Sequence, residues 1–138
     1  MEHELMGHGM NLYDTSLKVP LMMYVPGQRK REITQLAESV DIVPTLLGLL
    51  KLDNPYKLSG VDLFIQNIFN AFRYAVAQHY NGVATIRDSE WKLFYTFKYE
   101  KPVAIRLFNY KKDPMEKDNV IFKHNDITTR LLKNIPIE

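Results

Sequence analysis

Between residues 91 and 98 the side chains alternate between two sets, Trp91, Leu93, Tyr95 and Phe97 against Lys92, Phe94, Thr96 and Lys98. Alternation with a period of two, in a segment rich in aromatics, specifies a strand, because successive side chains of an extended chain point to opposite faces. Similar short segments occupy residues 72–78, 83–87 and 103–110. Asn81-Gly82, Asp88-Ser89-Glu90 and Glu100-Lys101-Pro102 separate them, and these are turn-forming residues. Strand, turn, strand at this spacing predicts an antiparallel meander. A helix follows, capped near Asn125, with Ile127, Leu131, Leu132 and Ile135 on one face. Trp91, the sole tryptophan, reads as a core anchor of this sheet rather than a ligand platform.

The first half has a different pattern. Residues 1–18 are polar, Gly- and His-rich, and read as a loop with a short helical turn near residues 12–16. The run Val19-Pro20-Leu21-Met22-Met23-Tyr24-Val25 is continuously apolar and closed by Pro26-Gly27. Such a run predicts a strand buried on both faces, as in a parallel sheet. A helix is expected next, with Asp41 as N-cap and Pro44 in the first turn, where a missing N–H is harmless. Val43, Leu46, Leu47, Leu49 and Leu50 crowd one broad face of it, which is expected to be core. The chain therefore divides into an α/β part, residues 1–71, and an antiparallel sheet with a helix, residues 72–138.

Composition narrows the function classes. Eighteen basic against sixteen acidic residues leave a net charge of +2, which argues against nucleic acid as a partner. The basic run Gln28-Arg29-Lys30-Arg31 reads as a solvated loop. The apolar run at residues 19–25 is far short of the roughly 20 residues that a membrane-spanning helix needs, so no membrane partner is expected. With no cysteine there is no disulfide framework, thiol nucleophile or thiolate metal site.

The densest polar cluster is Glu2-His3-Glu4-Leu5-Met6-Gly7-His8-Gly9. A zinc-protease helix would need its two histidines four residues apart. His3 and His8 are five apart, about 500° around a helix rather than about 400°. A glycine-rich anion loop suits the cluster better, because glycines admit a ligand to the backbone and imidazole can donate to an anionic oxygen. Two surface histidines would produce the same pattern, and His79 and His124 also read as surface residues.

Several motifs, in order, resemble sulfatases of the alkaline phosphatase superfamily. Gly7-His8-Gly9-Met10-Asn11-Leu12-Tyr13-Asp14, the Lys18-Val19-Pro20 that follows, and Tyr24-Val25-Pro26-Gly27 are similar to the stretch after the sulfatase metal segment. Val40-Asp41-Ile42-Val43-Pro44-Thr45-Leu46 resembles a Val-Asp-Ile-Ala-Pro-Thr-Leu helix start, and Ser59-Gly60-Val61-Asp62-Leu63 the Gly-x-Ser-Leu after it. Arg87-Asp88-Ser89-Glu90-Trp91-Lys92 is similar to Arg-x-x-x-Trp-Lys. Leu107-Phe108-Asn109-Tyr110, with Asp113-Pro114-Met115-Glu116 and Asn119, resembles the last sulfatase motif.

The resemblance implies the C-terminal part of an alkaline-phosphatase-like α/β fold, with residues 1–71 ending the catalytic domain and residues 72–138 forming its small subdomain. It implies a parent that hydrolyses a sulfate ester with calcium and a formylglycine nucleophile, acting on a sulfated small molecule or sugar in a periplasmic, extracellular or lysosomal setting. This sequence contains neither a Cys nor a Ser-x-Pro/Ala-x-Arg motif, nor an Asp-His-Gly metal segment. It therefore reads as a fragment, inactive by itself, and no metal ligand is assigned. By motif position His8 would contact sulfate and assist the leaving oxygen, with His3 a second catalytic candidate. Tyr13 and Asp14 would fix the loop below the site. Because the family's C-terminal sheet can border the substrate cleft, Gln78, His79 and Tyr80 are further candidates, with His79 the one assigned to substrate. Asp113-Pro114-Met115-Glu116 is read as a turn without chemistry. A phosphoryl or phosphonate hydrolase, a phosphoethanolamine-type transferase and a non-catalytic anion-binding domain remain alternatives.

Overall fold

The structure is a computed structural model that describes residues 11–65, 74–79 and 82–136. Its centre is a four-stranded antiparallel sheet in sequential order, β1 (Ala75–Gln78), β2 (Val83–Arg87), β3 (Trp91–Lys98) and β4 (Lys101–Asn109). This is the meander that the alternation predicts, with β1 starting three residues late and β4 starting two residues and ending one residue early. The register pairs Ala77 with Thr85, Thr85 with Phe94 and Phe94 with Arg106, so these four residues share one face. Ile86, Leu93 and Leu107 are paired across the other face.

Both faces are covered, which explains why β3 is buried on both alternating sets. On one side α3 (Asn125–Lys133) lies across the sheet. Leu131 and Ile135 are buried with Ile86, Leu93, Tyr95 and Leu107, and Ile127, Leu132 and Trp91 pack at the margin. Trp91 is thus a core anchor, with its ring 4.8 Å from that of His124. Arg130 of α3 donates to buried Asp88 at 2.7 Å, tying the helix to the β2–β3 turn. On the opposite side Leu12 and Tyr13 pack on Phe94 and Phe108, just before the short helix α1 (Asp14–Leu17).

Two irregularities shape β4. The β3–β4 connection consists of Tyr99 and Glu100, both at positive φ (49° and 62°), as a two-residue primed hairpin turn requires. Farther along, Tyr95 pairs with Ala104 but Phe94 pairs with Arg106, so Ile105 is an extra, bulged residue. A bulge reverses the alternation beyond it. It therefore turns Arg106 onto the face that carries Phe94, where an unbroken register would have placed Ile105.

The expected helix forms as α2 (Ile42–Leu50), and its start is fixed by Asp41. Asp41 accepts from the Glu38 amide at 2.8 Å and the Val61 amide at 2.9 Å, so its carboxylate clamps two loops rather than capping α2 itself. Thr45 repeats the device one turn later, accepting from the Leu63 amide at 3.0 Å. A Cβ on Gly48 would fall 2.0 Å from the Asp62 carboxylate, and one on Gly60 would fall 2.1 Å from the Val40 carbonyl oxygen. Gly60 must therefore stay glycine because backbone blocks it, whereas a side chain at Gly48 would have to displace the Asp62 carboxylate.

Two expectations for the first half are corrected. Residues 19–25 are not a strand: they run outside regular structure, with Val19, Met22 and Tyr24 exposed by 74%, 90% and 92%. A strand needs partner N–H and C=O groups, and none of the described residues bonds to the backbone of residues 19–24. Nor is the apolar face of α2 all core, since Val43, Leu46 and Leu50 are exposed and it is Thr45 that is buried. No helix among the described residues is long and apolar enough to cross a membrane.

Candidate functional site

The sheet face opposite α3 carries a charge cluster around Asp14 and a small cavity lined by the neighbouring Tyr13. Lys92, at an interior position of β3, has a completely buried side chain. Its ammonium donates to Asp14 Oδ1 at 2.8 Å and lies 2.8 Å from Glu116 Oε1, an ion contact without hydrogen-bond alignment. Arg87 Nη1 reaches the same Asp14 oxygen at 2.9 Å and stacks over the Tyr110 ring at 4.1 Å. Glu116 closes the circuit by accepting from the Asp14 amide at 2.6 Å. Glu116 does this from a left-handed backbone conformation (φ 52°) in the turn after Asp113, whose carbonyl accepts the Glu116 amide.

Buried charges persist only when paired, and this cluster pairs two cations with two carboxylates. Burial pushes the Asp14 carboxyl up, but the hydrogen bond and charge of Lys92, joined by those of Arg87, outweigh it and hold the carboxyl below its ordinary 3.8. Burial likewise lowers the Arg87 guanidinium, and Tyr110 and Asp14 more than restore it. The Tyr110 hydroxyl, raised mainly by burial, donates to the Asp88 carbonyl.

The result is a pinned loop. Tyr13 and Asp14 are held to the sheet by packing, two ion pairs and a backbone hydrogen bond, as the reading of them as loop-fixing residues expects. Immediately before them, Asn11 Oδ1 accepts from the Tyr13 amide at 3.0 Å. The cavity opens here, with a volume of about 180 Å³. Its lining combines polar Asn11, Tyr13, His79 and Arg106 with apolar Leu12, Val83, Phe94 and Ile105. His79 is held at this lining because its amide donates to the Val83 carbonyl at 2.8 Å and its carbonyl accepts from the Gly82 amide, closing β1 onto β2. The Arg106 guanidinium donates to the Tyr13 hydroxyl.

Of the sequence-based candidates, His79 lines this cavity and Gln78 ends β1 beside it. His8, His3 and Tyr80 lie outside the described residues. His8 precedes the lining residue Asn11 by three positions in the chain. Sequence reasoning missed Arg106, because a bulge without glycine leaves no mark in the sequence. It also missed Lys92 and Glu116 as a buried pair, although a lysine inside a strand with aromatic neighbours is a usable signal. The Asp14 and Glu116 carboxylates are committed to cations and do not fit a calcium ligand set. No group of three or more His, Asp or Glu among the described residues could hold a metal ion.

A family model described as N-sulphoglucosamine sulphohydrolase, C-terminal, matches residues 2–136. The chain belongs to this sulphohydrolase C-terminal family. It is 26% identical over 147 aligned residues to arylsulfatase K of Bos taurus, a match spanning 95% of this chain but 27% of the relative. It thus spans about a quarter of the length of the curated relatives. In fold it resembles a Bacteroides thetaiotaomicron protein described as a sulfatase, with a TM-score of 0.68 and 24% identity over 88% of this chain and 29% of that one. A second solved structure matches with a TM-score of 0.50 and 17% identity, over 67% of this chain and 22% of its own, and holds its substrate D-glucosamine-2-N,6-O-disulfate. The sulphohydrolase assignment agrees with the resemblance carried by the motifs and with the α/β architecture of small sheet plus helix.

Proposed function

We propose that this chain supplies the C-terminal part of a sulfuric ester hydrolase, with residues 1–71 ending the catalytic α/β domain and residues 72–138 forming the subdomain that borders its substrate cleft. One observation carries the reading. In a chain matched almost throughout by a sulphohydrolase C-terminal family, Asn11, Leu12 and Tyr13, which begin three positions after His8, meet His79 and Arg106 around one cavity. The cavity brings one arginine together with apolar side chains, which suits the leaving-group side of a sulfated sugar or another sulfated small molecule. The relative whose structure holds a disulfated glucosamine favours a sugar.

In this reading His8 donates to the oxygen that leaves sulfur, His3 is a second catalytic candidate, and His79 contacts the leaving group. A donor aimed at developing negative charge is typically worth about 3 kcal/mol of barrier. The buried Lys92 cluster is a positioning device that keeps the Asn11–Asp14 backbone still while the leaving group binds. Calcium and a formylglycine nucleophile belong to the proposed parent. Bound there, they would supply charge neutralisation and attack on sulfur, and no step is assigned to them on this chain. The exposed run at residues 19–25 and the apolar stripe of α2 would be covered by the rest of that α/β layer.

The test is a comparison of aryl sulfate and aryl phosphate as substrates of the polypeptide that carries this chain. Preferential release of sulfate is expected. Preferential release of phosphate would favour the phosphoryl-transfer alternative, and release of neither would leave an anion-binding domain.

A further inference from the structure

Arg106 differs from the other arginines of the sheet and its helix. Arg87 pairs with Asp14 and Arg130 with Asp88, each through a guanidinium-to-carboxylate contact under 3 Å. Arg106 pairs with no carboxylate among the described residues, and its hydrogen bond is to the neutral hydroxyl of Tyr13. A guanidinium offers five N–H donors in a planar fork suited to carboxylate, sulfate or phosphate. Tyr13 accepts from one nitrogen of that fork.

Three further facts orient this donor. The bulge at Ile105 turns Arg106 onto the face of Phe94, and bulges recur where a side chain must be re-aimed at a site. Tyr13, which holds it, is buried and packs against Phe94 and Phe108 with ring centroids 5.1 and 6.1 Å away, so the guanidinium is braced from one side. Among the described residues that line the cavity none is acidic, and Arg106 is the one that carries a fixed positive charge. At about 180 Å³ the space falls below the roughly 300 Å³ at which whole small-molecule pockets begin, and it fits one part of a ligand.

We infer that Arg106 is a specificity-determining residue that binds an anionic substituent of the substrate other than the ester being cleaved, while Phe94 and Leu12 receive the apolar face of the ring that bears it. This rests on the sulfuric ester hydrolase reading for the identity of the ligand, but its test does not use turnover. The Tyr13 hydroxyl acts as a positioning group for the guanidinium. Lysine at position 106 would keep the charge and lose the fork.

The experiment is binding to the 138-residue chain, immobilised sparsely and probed with D-glucosamine-2-N,6-O-disulfate, D-glucosamine 6-sulfate and unsulfated D-glucosamine. Affinity is expected to fall in that order. Arg106→Gln should weaken the disulfate about tenfold or more, the range for a lost charge-assisted contact, and narrow its advantage over the monosulfate. Arg106→Lys should restore part of it, and Tyr13→Phe should weaken the disulfate while circular dichroism shows the fold retained. Equal binding of the three probes, no detectable binding, or an undiminished disulfate preference in Arg106→Gln would each overturn the inference. Sulfate binding without ester hydrolysis in the parent would leave the Arg106 assignment standing and remove the hydrolase reading.

Discussion

Lys92 and Asp14 meet at 2.8 Å across 78 residues of chain, and the lysine side chain is completely buried. That contact joins the loop after His8 to the middle of the sheet, so its loss should be felt in both. Removing one partner of a buried pair leaves the others uncompensated, at a typical cost of about 3–5 kcal/mol. Lys92→Met should therefore lose stability on that scale in urea unfolding. The double variant Lys92→Met, Asp14→Asn should lose less than the sum of the two single changes.

The acid limb of stability follows from the same carboxylate. The folded pKa of Asp14 is held below its ordinary 3.8, so the group stabilises the fold above 3.8. That contribution disappears as the pH falls from 3.8 through the folded value. Unfolding free energy measured downward from neutrality should drop through this window, and the drop should be shallower in Asp14→Asn than in the parent sequence.

The hairpin tip offers a gain. Tyr99 and Glu100 both hold positive φ, a conformation that side chains other than Asn and Gly adopt at a cost of roughly 1 kcal/mol each. Relief at two positions, less the roughly 0.5–1 kcal/mol entropic cost of a new glycine, means that Tyr99→Asn with Glu100→Gly should stabilise the chain by about 1 kcal/mol and raise its melting temperature by several degrees. An unchanged or lowered melting temperature would contradict the turn geometry.

The apolar surface of the first half predicts association. Val19, Met22 and Tyr24 lie on a segment whose backbone pairs with none of the described residues outside it, and α2 exposes Val43, Leu46 and Leu50. Exposed apolar segments with open edges associate. The 138-residue chain alone should self-associate in analytical ultracentrifugation, and Leu46→Glu with Leu50→Glu should reduce this. A monomer with sharp cooperative melting would contradict the prediction.

Where the physics is local, the sequence is legible. The alternation at Trp91–Lys98 and the apolar stripe before Ile135 encode the meander and its covering helix, since period and burial coincide there. Residues 19–25 mislead because an apolar run reports burial without supplying the strands it would pair with. Lys92 and Glu116 are illegible as a pair, since their meeting depends on the left-handed turn at Glu116 and on the loop that brings in Asp14. Arg106 escapes because the register shift at Ile105 decides its face. His79 is a candidate only through the family resemblance, and it is one of the residues that line the cavity.

The most direct measurement is sulfate released from an aryl sulfate ester by the polypeptide that carries this chain, with and without His8→Ala. Steady turnover is expected with the unaltered sequence, and His8→Ala should lower kcat about a hundredfold, the scale of one lost transition-state donor. No sulfate release, or turnover unchanged by the substitution, would contradict the assignment of this loop to the chemistry of ester cleavage.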